Sequence, residues 1–161
     1  MRQHILERVP EEACGLVAGT GGCSRVVFEV ENILQSPVRF RMEAGEQIRA
    51  FLEIEKSGMD LLAIYHSHPQ GPDQPSTTDL EEFAYPGTPY LIWYPEAAVA
   101  MSTSAMSTSA MSTSAMSTSA MSILRSAQDR HRAMSISWTC RAFMLSDGGF
   151  REFDFSFLED E

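Results

Sequence analysis

His66 and His68 flank one serine in Tyr65-His66-Ser67-His68-Pro69, Asp79 closes Ser76-Thr77-Thr78-Asp79, and Glu12 stands far upstream in Glu12-Ala13-Cys14-Gly15. Two imidazoles and a carboxylate with a distant glutamate make up the inventory of a water-activating zinc site. Catalytic zinc takes three protein ligands from His, Asp or Glu and leaves its fourth position to water. His66, His68 and Asp79 fill that shell in this reading, with one Zn2+ and a bound water expected per chain, and Glu12 is the unligated base. Zinc brings the pKa of bound water to about 7 and polarises a carbonyl, so the chemistry expected is hydrolysis.

The elements around these residues must bring them together. Leu61-Leu62-Ala63-Ile64-Tyr65-His66 reads as a buried strand running into the His-Ser-His-Pro turn, and alternation along an extended chain points His66 and His68 the same way. After a Gly/Pro-rich loop over Gln70 to Pro75, Ser76 reads as the N-cap of a helix with Asp79 in its first turn. Gln3 to Arg8 can make a short helix that Pro10 stops. Cys14 to Gly19 reads as a buried strand, Gly19 to Gly22 as a turn, and Arg25 to Glu31 as the hairpin partner. Between Glu43 and Lys56, the positions Ile48, Phe51, Leu52 and, less regularly, Ile54 predict one apolar side of a helix that Gly58 ends. Tyr90 to Tyr94 and Trp138 to Leu145 read as strands, and Phe150 to Phe157 as another after the Asp147-Gly148-Gly149 turn. The mixture is α/β.

With 161 residues the chain is expected to be one domain. Its 22 acidic against 12 basic residues, a formal charge of −10, disfavour a phosphate-binding surface, so nucleic acid is not an expected partner. Three cysteines, Cys14, Cys23 and Cys140, lack the spacing of a disulfide framework and suit a reducing compartment. The first residues contain no apolar leader-like run and no stretch is long enough to span a bilayer, so a cytoplasmic protein without a membrane partner is expected. Residue types leave the oligomeric state open. Met-Ser-Thr-Ser-Ala repeats from Met101 to about Ser122, a period that matches neither helix nor strand and that buries too little apolar surface to offset its ordering entropy. It is expected to be a loop.

Each piece also has a plain reading. Ser76-x-x-Asp79 is a capping box, which does not prevent Ser76 from having a second role. Cys14 and Cys140 read as core residues and Cys23 as incidental. His4 and His131 have no partner pattern and are expected on the surface, as are Glu81 and Glu82 on a helix face. It is the order of the pieces, ending a buried strand and opening a helix, that points to a site.

The pattern Glu-x-x-Gly, His-x-His-Pro and Ser-x-x-Asp resembles the JAMM (MPN+) zinc metallopeptidases, most closely their compact bacterial and archaeal branch. Arg39-Phe40-Arg41-Met42 and Arg141-Ala142-Phe143 extend the likeness over nearly all of the chain except the repeat. The resemblance implies the JAB1/MPN fold, a mixed β-sheet flanked by helices and similar to cytidine deaminases. It also implies His66, His68 and Asp79 as zinc ligands, Glu12 as general acid/base and Ser76 as the hydroxyl that helps hold the oxyanion. The activity implied is (iso)peptide hydrolysis at the C-terminal tail of a ubiquitin-like or sulfur-carrier protein. Two other readings exist within the superfamily. A RadC-like, DNA-associated protein is disfavoured by the acidity and the Glu-x-x-Gly entry, and a non-enzymatic MPN scaffold predicts a missing ligand where none is missing.

Overall fold

A computed structural model of the chain describes residues 1–85, 87–96, 136–146 and 149–156. The Met-Ser-Thr-Ser-Ala repeat, the segment Arg125 to Arg132 and His131 lie outside the described residues, as do Asp147 and Gly148. The element order is α1 (Arg2–Arg8), β1 (Cys14–Thr20), β2 (Cys23–Val30), α2 (Ala44–Lys56), β3 (Asp60–Ser67), α3 (Thr77–Glu81), β4 (Tyr90–Pro95), β5 (Trp138–Ser146) and β6 (Gly149–Phe153). The strands form one mixed sheet in the order β2-β1-β3-β4-β5-β6. Only the β3·β4 pair among them is parallel; the rest are antiparallel. No helix among the described residues is long and apolar enough to cross a membrane.

Period-two alternation sorts the strand residues onto two faces. Leu16, Ile64, Tyr90 and Ile92 share one apolar cluster with Ala50 and Ile54 of α2 and with Met42. Val17, Ala63, Tyr65, Leu91 and Ala142 point to the opposite side. There Ile5 and Leu6 of α1 pack with Trp93 and Trp138. Helices therefore cover both faces, as a sheet with two apolar faces requires.

α2 starts where the Glu43 carboxylate accepts from the amides of Gly45 and Glu46. It ends in a Schellman motif, with Gly58 at φ 64°, its amide on the Glu55 carbonyl, and the Met59 amide on the Ile54 carbonyl. Its buried side only partly matches the one the apolar spacing predicts, since Phe51 and Ile54 face the core and Ile48 and Leu52 do not. Ala50 and Ile54, one turn apart, enter the core with Phe51 alongside, while Ile48 and Leu52 are more than half exposed. An alanine on a close-packed face lets the helix backbone approach the sheet, and two larger side chains on the other face do not outweigh it.

His4 is a second correction, for it is buried rather than on the surface. Its Nδ1 lies 2.9 Å from the Tyr65 hydroxyl, and α1 presses it onto the sheet. The last strand is also shorter than expected and stops at Phe153. Cys14 is buried and bonded to the Val30 carbonyl, whereas Cys23 is exposed.

Candidate metal centre

The antiparallel register of β1 on β3 pairs Cys14 with His66. The lead-in to β1, which carries Glu12, is thus placed beside the end of β3, which carries the histidines. Ser67, between the two histidines, closes the junction. Its Oγ accepts from the Ala13 amide at 2.9 Å, and its own amide donates to the Ala13 carbonyl at 3.0 Å. Gly15 fits the same seam because a Cβ there would sit 2.2 Å from the Phe28 carbonyl oxygen and 2.6 Å from the Tyr65 ring. The spacing Glu-x-x-Gly therefore has a steric cause in this fold.

His66 and His68 do point the same way, with their Nε2 atoms 2.9 Å apart. The His68 ring is oriented by the Pro72 carbonyl, 2.7 Å from Nδ1. A carbonyl can only accept, so Nδ1 carries the proton and, in the neutral ring, the Nε2 lone pair faces the site. His66 is fully buried and lies against the Phe40 ring, with centroids 4.6 Å apart and planes 24° apart. The loop that follows His68 is tied to the sheet by Arg141 of β5, which pairs with Asp73 and with Glu152.

Asp79 comes from the first turn of α3, where the sequence predicts it. Ser76 is the N-cap: its Oγ accepts from the Asp79 amide at 3.1 Å, and its amide and hydroxyl both donate to Asp79 Oδ2. This capping box leaves Oδ1 free to face His66 Nε2 at 3.4 Å, while Oδ2 lies 3.4 Å from His68 Nε2. A tetrahedral zinc with bonds near 2.0–2.1 Å has ligand atoms separated by about 3.3 Å. The two Nε2 atoms at 2.9 Å and His66 Nε2 to Asp79 Oδ1 at 3.4 Å are near that spacing, His68 faces the other oxygen of the same carboxylate at 3.4 Å, and the imidazole and carboxylate chemistry suits a borderline divalent cation. His66, His68 and Asp79 are the metal-competent cluster among the described residues, and Glu12 is not part of it.

Glu12 is 3 % exposed, and its Oε2 has no hydrogen-bond partner among the described residues. Burial pushes its carboxyl up to about 8, with the His68 charge opposing and the Asp79 charge adding to the shift. Burial lowers His66. In His68 burial acts in the same direction, but the Asp79 hydrogen bond, the Glu12 charge and the Pro72 carbonyl outweigh it and raise the group. Burial would raise Asp79, yet hydrogen bonds from both histidines and from Ser76 hold it well below the usual carboxylate range.

These directions have a measurable consequence for the metal-free chain. Between its ordinary value of 4.5 and its folded value of about 8, Glu12 keeps a proton in the folded state that the unfolded state has lost. Its contribution to stability is complete below 4.5 and is lost as the pH rises towards 8. Asp79 acts in the other direction, with stability lost only as the pH falls below its ordinary value of 3.8. We expect chelator-treated protein to lose Tm relative to Glu12→Gln between pH 5 and pH 8. Parallel Tm curves for the two proteins would contradict a buried, proton-holding Glu12.

Beside Ser76 and Asp79 opens a cavity of about 240 Å³, bounded also by Phe40, Arg41, Tyr85 and Tyr90. Arg39 pairs with Glu82 at 2.7 Å at its rim, so the helix-face charge Glu82 has a partner across the site. Asn32, Phe40 and Ser67 were not marked as site residues by sequence reasoning. The contacts that tie them to the site, Asn32 to Glu12, Phe40 to His66 and Ser67 to Ala13, each join residues at least 20 positions apart.

The family model described as prokaryotic homologs of the JAB domain matches residues 1–121. The chain is 38% identical over 93 residues to a probable TtuB-protein conjugate cleaving protease of Thermus thermophilus, covering 57% of this chain and 62% of that protein. It is 36% identical over 90 residues to a desampylase of Haloferax volcanii, covering 54% and 65%. A CysO-cysteine peptidase of Mycobacterium tuberculosis is 32% identical over 94 residues, covering 57% and 64%. The matched region thus spans somewhat under two thirds of these curated relatives. Among solved structures, a Desulfitobacterium hafniense protein superposes with a TM-score of 0.65 at 25% identity, covering 98% of this chain and 86% of that one. A Salinibacter ruber protein at 23% identity and TM-score 0.54, covering 99% and 86%, shares the fold. The sheet order, the converging His-x-His and Asp donors and the family match agree, and the chain belongs to the prokaryotic JAB-domain family, with its α/β fold.

Proposed function

We propose that this protein is a zinc-dependent peptidase that hydrolyses a peptide or isopeptide bond at the C-terminal tail of a ubiquitin-like or sulfur-carrier protein. The observation that carries the reading is the combination of a convergent His66-His68-Asp79 donor set with a buried glutamate, Glu12, that is not one of the donors. A relative that kept only the fold would not need a desolvated carboxylate beside a metal-competent cluster. The names of the relatives, a TtuB-protein conjugate cleaving protease, a desampylase and a CysO-cysteine peptidase, support this substrate class.

His66, His68 and Asp79 would hold the ion, which would supply Lewis acidity and the charge that makes hydroxide available near neutral pH. Glu12 takes a proton from the attacking water. The O–C bond forms, the C–N bond breaks, and the same carboxyl delivers the proton to the leaving amine. A carboxyl raised by burial is suited to return the proton, and a divalent cation held beside it would favour the carboxylate form that takes the proton from water. Ser76 reaches the oxyanion by turning its hydroxyl proton away from Asp79 Oδ2, which keeps the Ser76 amide at 2.6 Å. The cavity beside Ser76 is smaller than the pockets that enclose a drug-sized ligand, and so is suited to one residue next to the scissile amide.

The test is intact-mass analysis of zinc-loaded protein incubated with carriers bearing a lysine-linked or a single-residue C-terminal extension. Loss of the extension at the carrier terminus is expected. A protein that holds zinc and leaves a broad panel of such carriers intact would sink the reading.

A further inference from the structure

The segment from Asn32 to Met42 crosses the site as a strap, and its hydrogen bonds converge on one side chain. Asn32 is 6 % exposed. Its Nδ2 donates to the Glu12 carbonyl at 3.0 Å and to the Arg39 carbonyl at 3.1 Å, and its Oδ1 accepts from the amides of Leu34 at 3.1 Å and Arg41 at 3.0 Å. Two donors and two of the acceptor's lone-pair sites are thus used, the full capacity of a side-chain amide. The strap also holds Glu12 from its other side, because the Glu12 amide donates to the Ser36 carbonyl at 2.8 Å. At its far end, Phe40, between Arg39 and Arg41, stacks on His66.

The backbone of Glu12 is therefore gripped at both its amide and its carbonyl by the strap, while its Oε2 has no partner of its own among the described residues. With no hydrogen bond to that oxygen among the described residues, the grip on the backbone is the polar anchor that holds Glu12 in place. The hydrogen bonds that anchor the three metal-competent residues come from outside the strap, from Ser67 and Pro72 for the histidines and from the Ser76 cap for Asp79, and the strap touches them only through the apolar stacking of Phe40 on His66. We infer that Asn32 is a positioning residue for the reaction, which sets the place of Glu12 relative to the metal centre by locking the Asn32–Met42 strap, and that it acts on proton transfer and not on metal retention. This rests on the peptidase reading for its kinetic consequence, though not for its structural one.

Asn32→Asp separates the two halves of the interaction, since it keeps the acceptor for Leu34 and Arg41 but has nothing to donate to the Glu12 and Arg39 carbonyls. In zinc-loaded full chain it should retain its zinc and keep KM within about twofold while kcat falls on the order of 10²-fold, the cost of a misplacement of about 1 Å. The Glu12 carboxyl resonance in the 13C spectrum of the labelled zinc protein should move. Ile33→Ala, which trims an exposed side chain and keeps the backbone bond from the Ile33 amide to the Arg41 carbonyl, should change none of these. An unchanged kcat in folded Asn32→Asp would overturn the inference, as would zinc loss in step with kcat. Hydrogen exchange of the unaltered protein tests the same lock without a variant. The Glu12 and Arg41 amides should exchange together if the strap opens as one unit, and Arg41 exchanging independently and far faster would overturn it. If no carrier is cleaved by the unaltered protein the peptidase reading falls, and the exchange and carboxyl data still decide the role of Asn32.

Discussion

Glu12→Gln is expected to bind zinc as the unaltered protein does and to lose about 10²–10⁴-fold in kcat on an extended carrier, the range that a positioned general acid/base contributes. The amide matches the carboxylate in shape, so the packing around a residue that is 3 % exposed is preserved. It also removes a buried carboxyl whose charged form is disfavoured there, and the variant should melt at or above the Tm of the unaltered protein at pH 8. The loss must therefore appear in turnover with KM nearly constant, because Glu12 acts on the proton in flight and not on substrate binding. Steady-state kinetics with zinc content measured on the same preparations checks this. A variant that keeps most of its turnover would remove Glu12 from the mechanism and leave the proton path without a known carrier.

The second large effect belongs to the donors. His66→Ala or Asp79→Ala should lower bound zinc from about one ion per chain to almost none after dialysis against a weak chelator, since two remaining donors do not make a structural or catalytic zinc shell. The same variants should lose the zinc-dependent stabilisation, expected for the unaltered protein at about 4 kcal/mol when free zinc is a thousandfold above its Kd, and with it the rise in Tm. Asp79→Ala should be the less stable of the two without metal. It also breaks the box at Ser76, where loss of a cap costs about 1 kcal/mol. Elemental analysis and calorimetry decide the matter, and stoichiometric zinc in the double variant would show that the ion sits elsewhere.

The parts of this molecule that were legible in its sequence are those whose causes are local. His66 and His68 share a direction because parity along one strand dictates it, and Asp79 faces them because Ser76 starts a helix three residues earlier. The strands were legible from their apolar and β-branched runs. His4 was misjudged because what buries it is Tyr65, sixty-one positions away, and no periodicity over a seven-residue helix announces such a partner. On α2 the apolar spacing placed Phe51 and Ile54 correctly, but side-chain size also suggested Ile48 and Leu52, whereas packing against the sheet took the small Ala50 instead. Asn32 and Phe40 escaped notice for a related reason. Their roles exist only once the strap has crossed from β2 to the end of β3, and a single asparagine after a strand is otherwise an ordinary turn residue.

The contact between His4 and Tyr65 bears on more than the burial of a histidine. Apolar packing is indifferent to rotation, and α1 could roll on the tryptophan-lined face with little loss of buried area. One directional hydrogen bond inside that greasy interface acts as a locating pin and selects a single azimuth. The chain leaves α1 through Val9 and Pro10 and arrives at Glu12 almost at once, so the roll angle of this short helix sets the height at which the base enters the sheet. A fault in docking so far from the histidines would be felt first as a misplaced proton carrier.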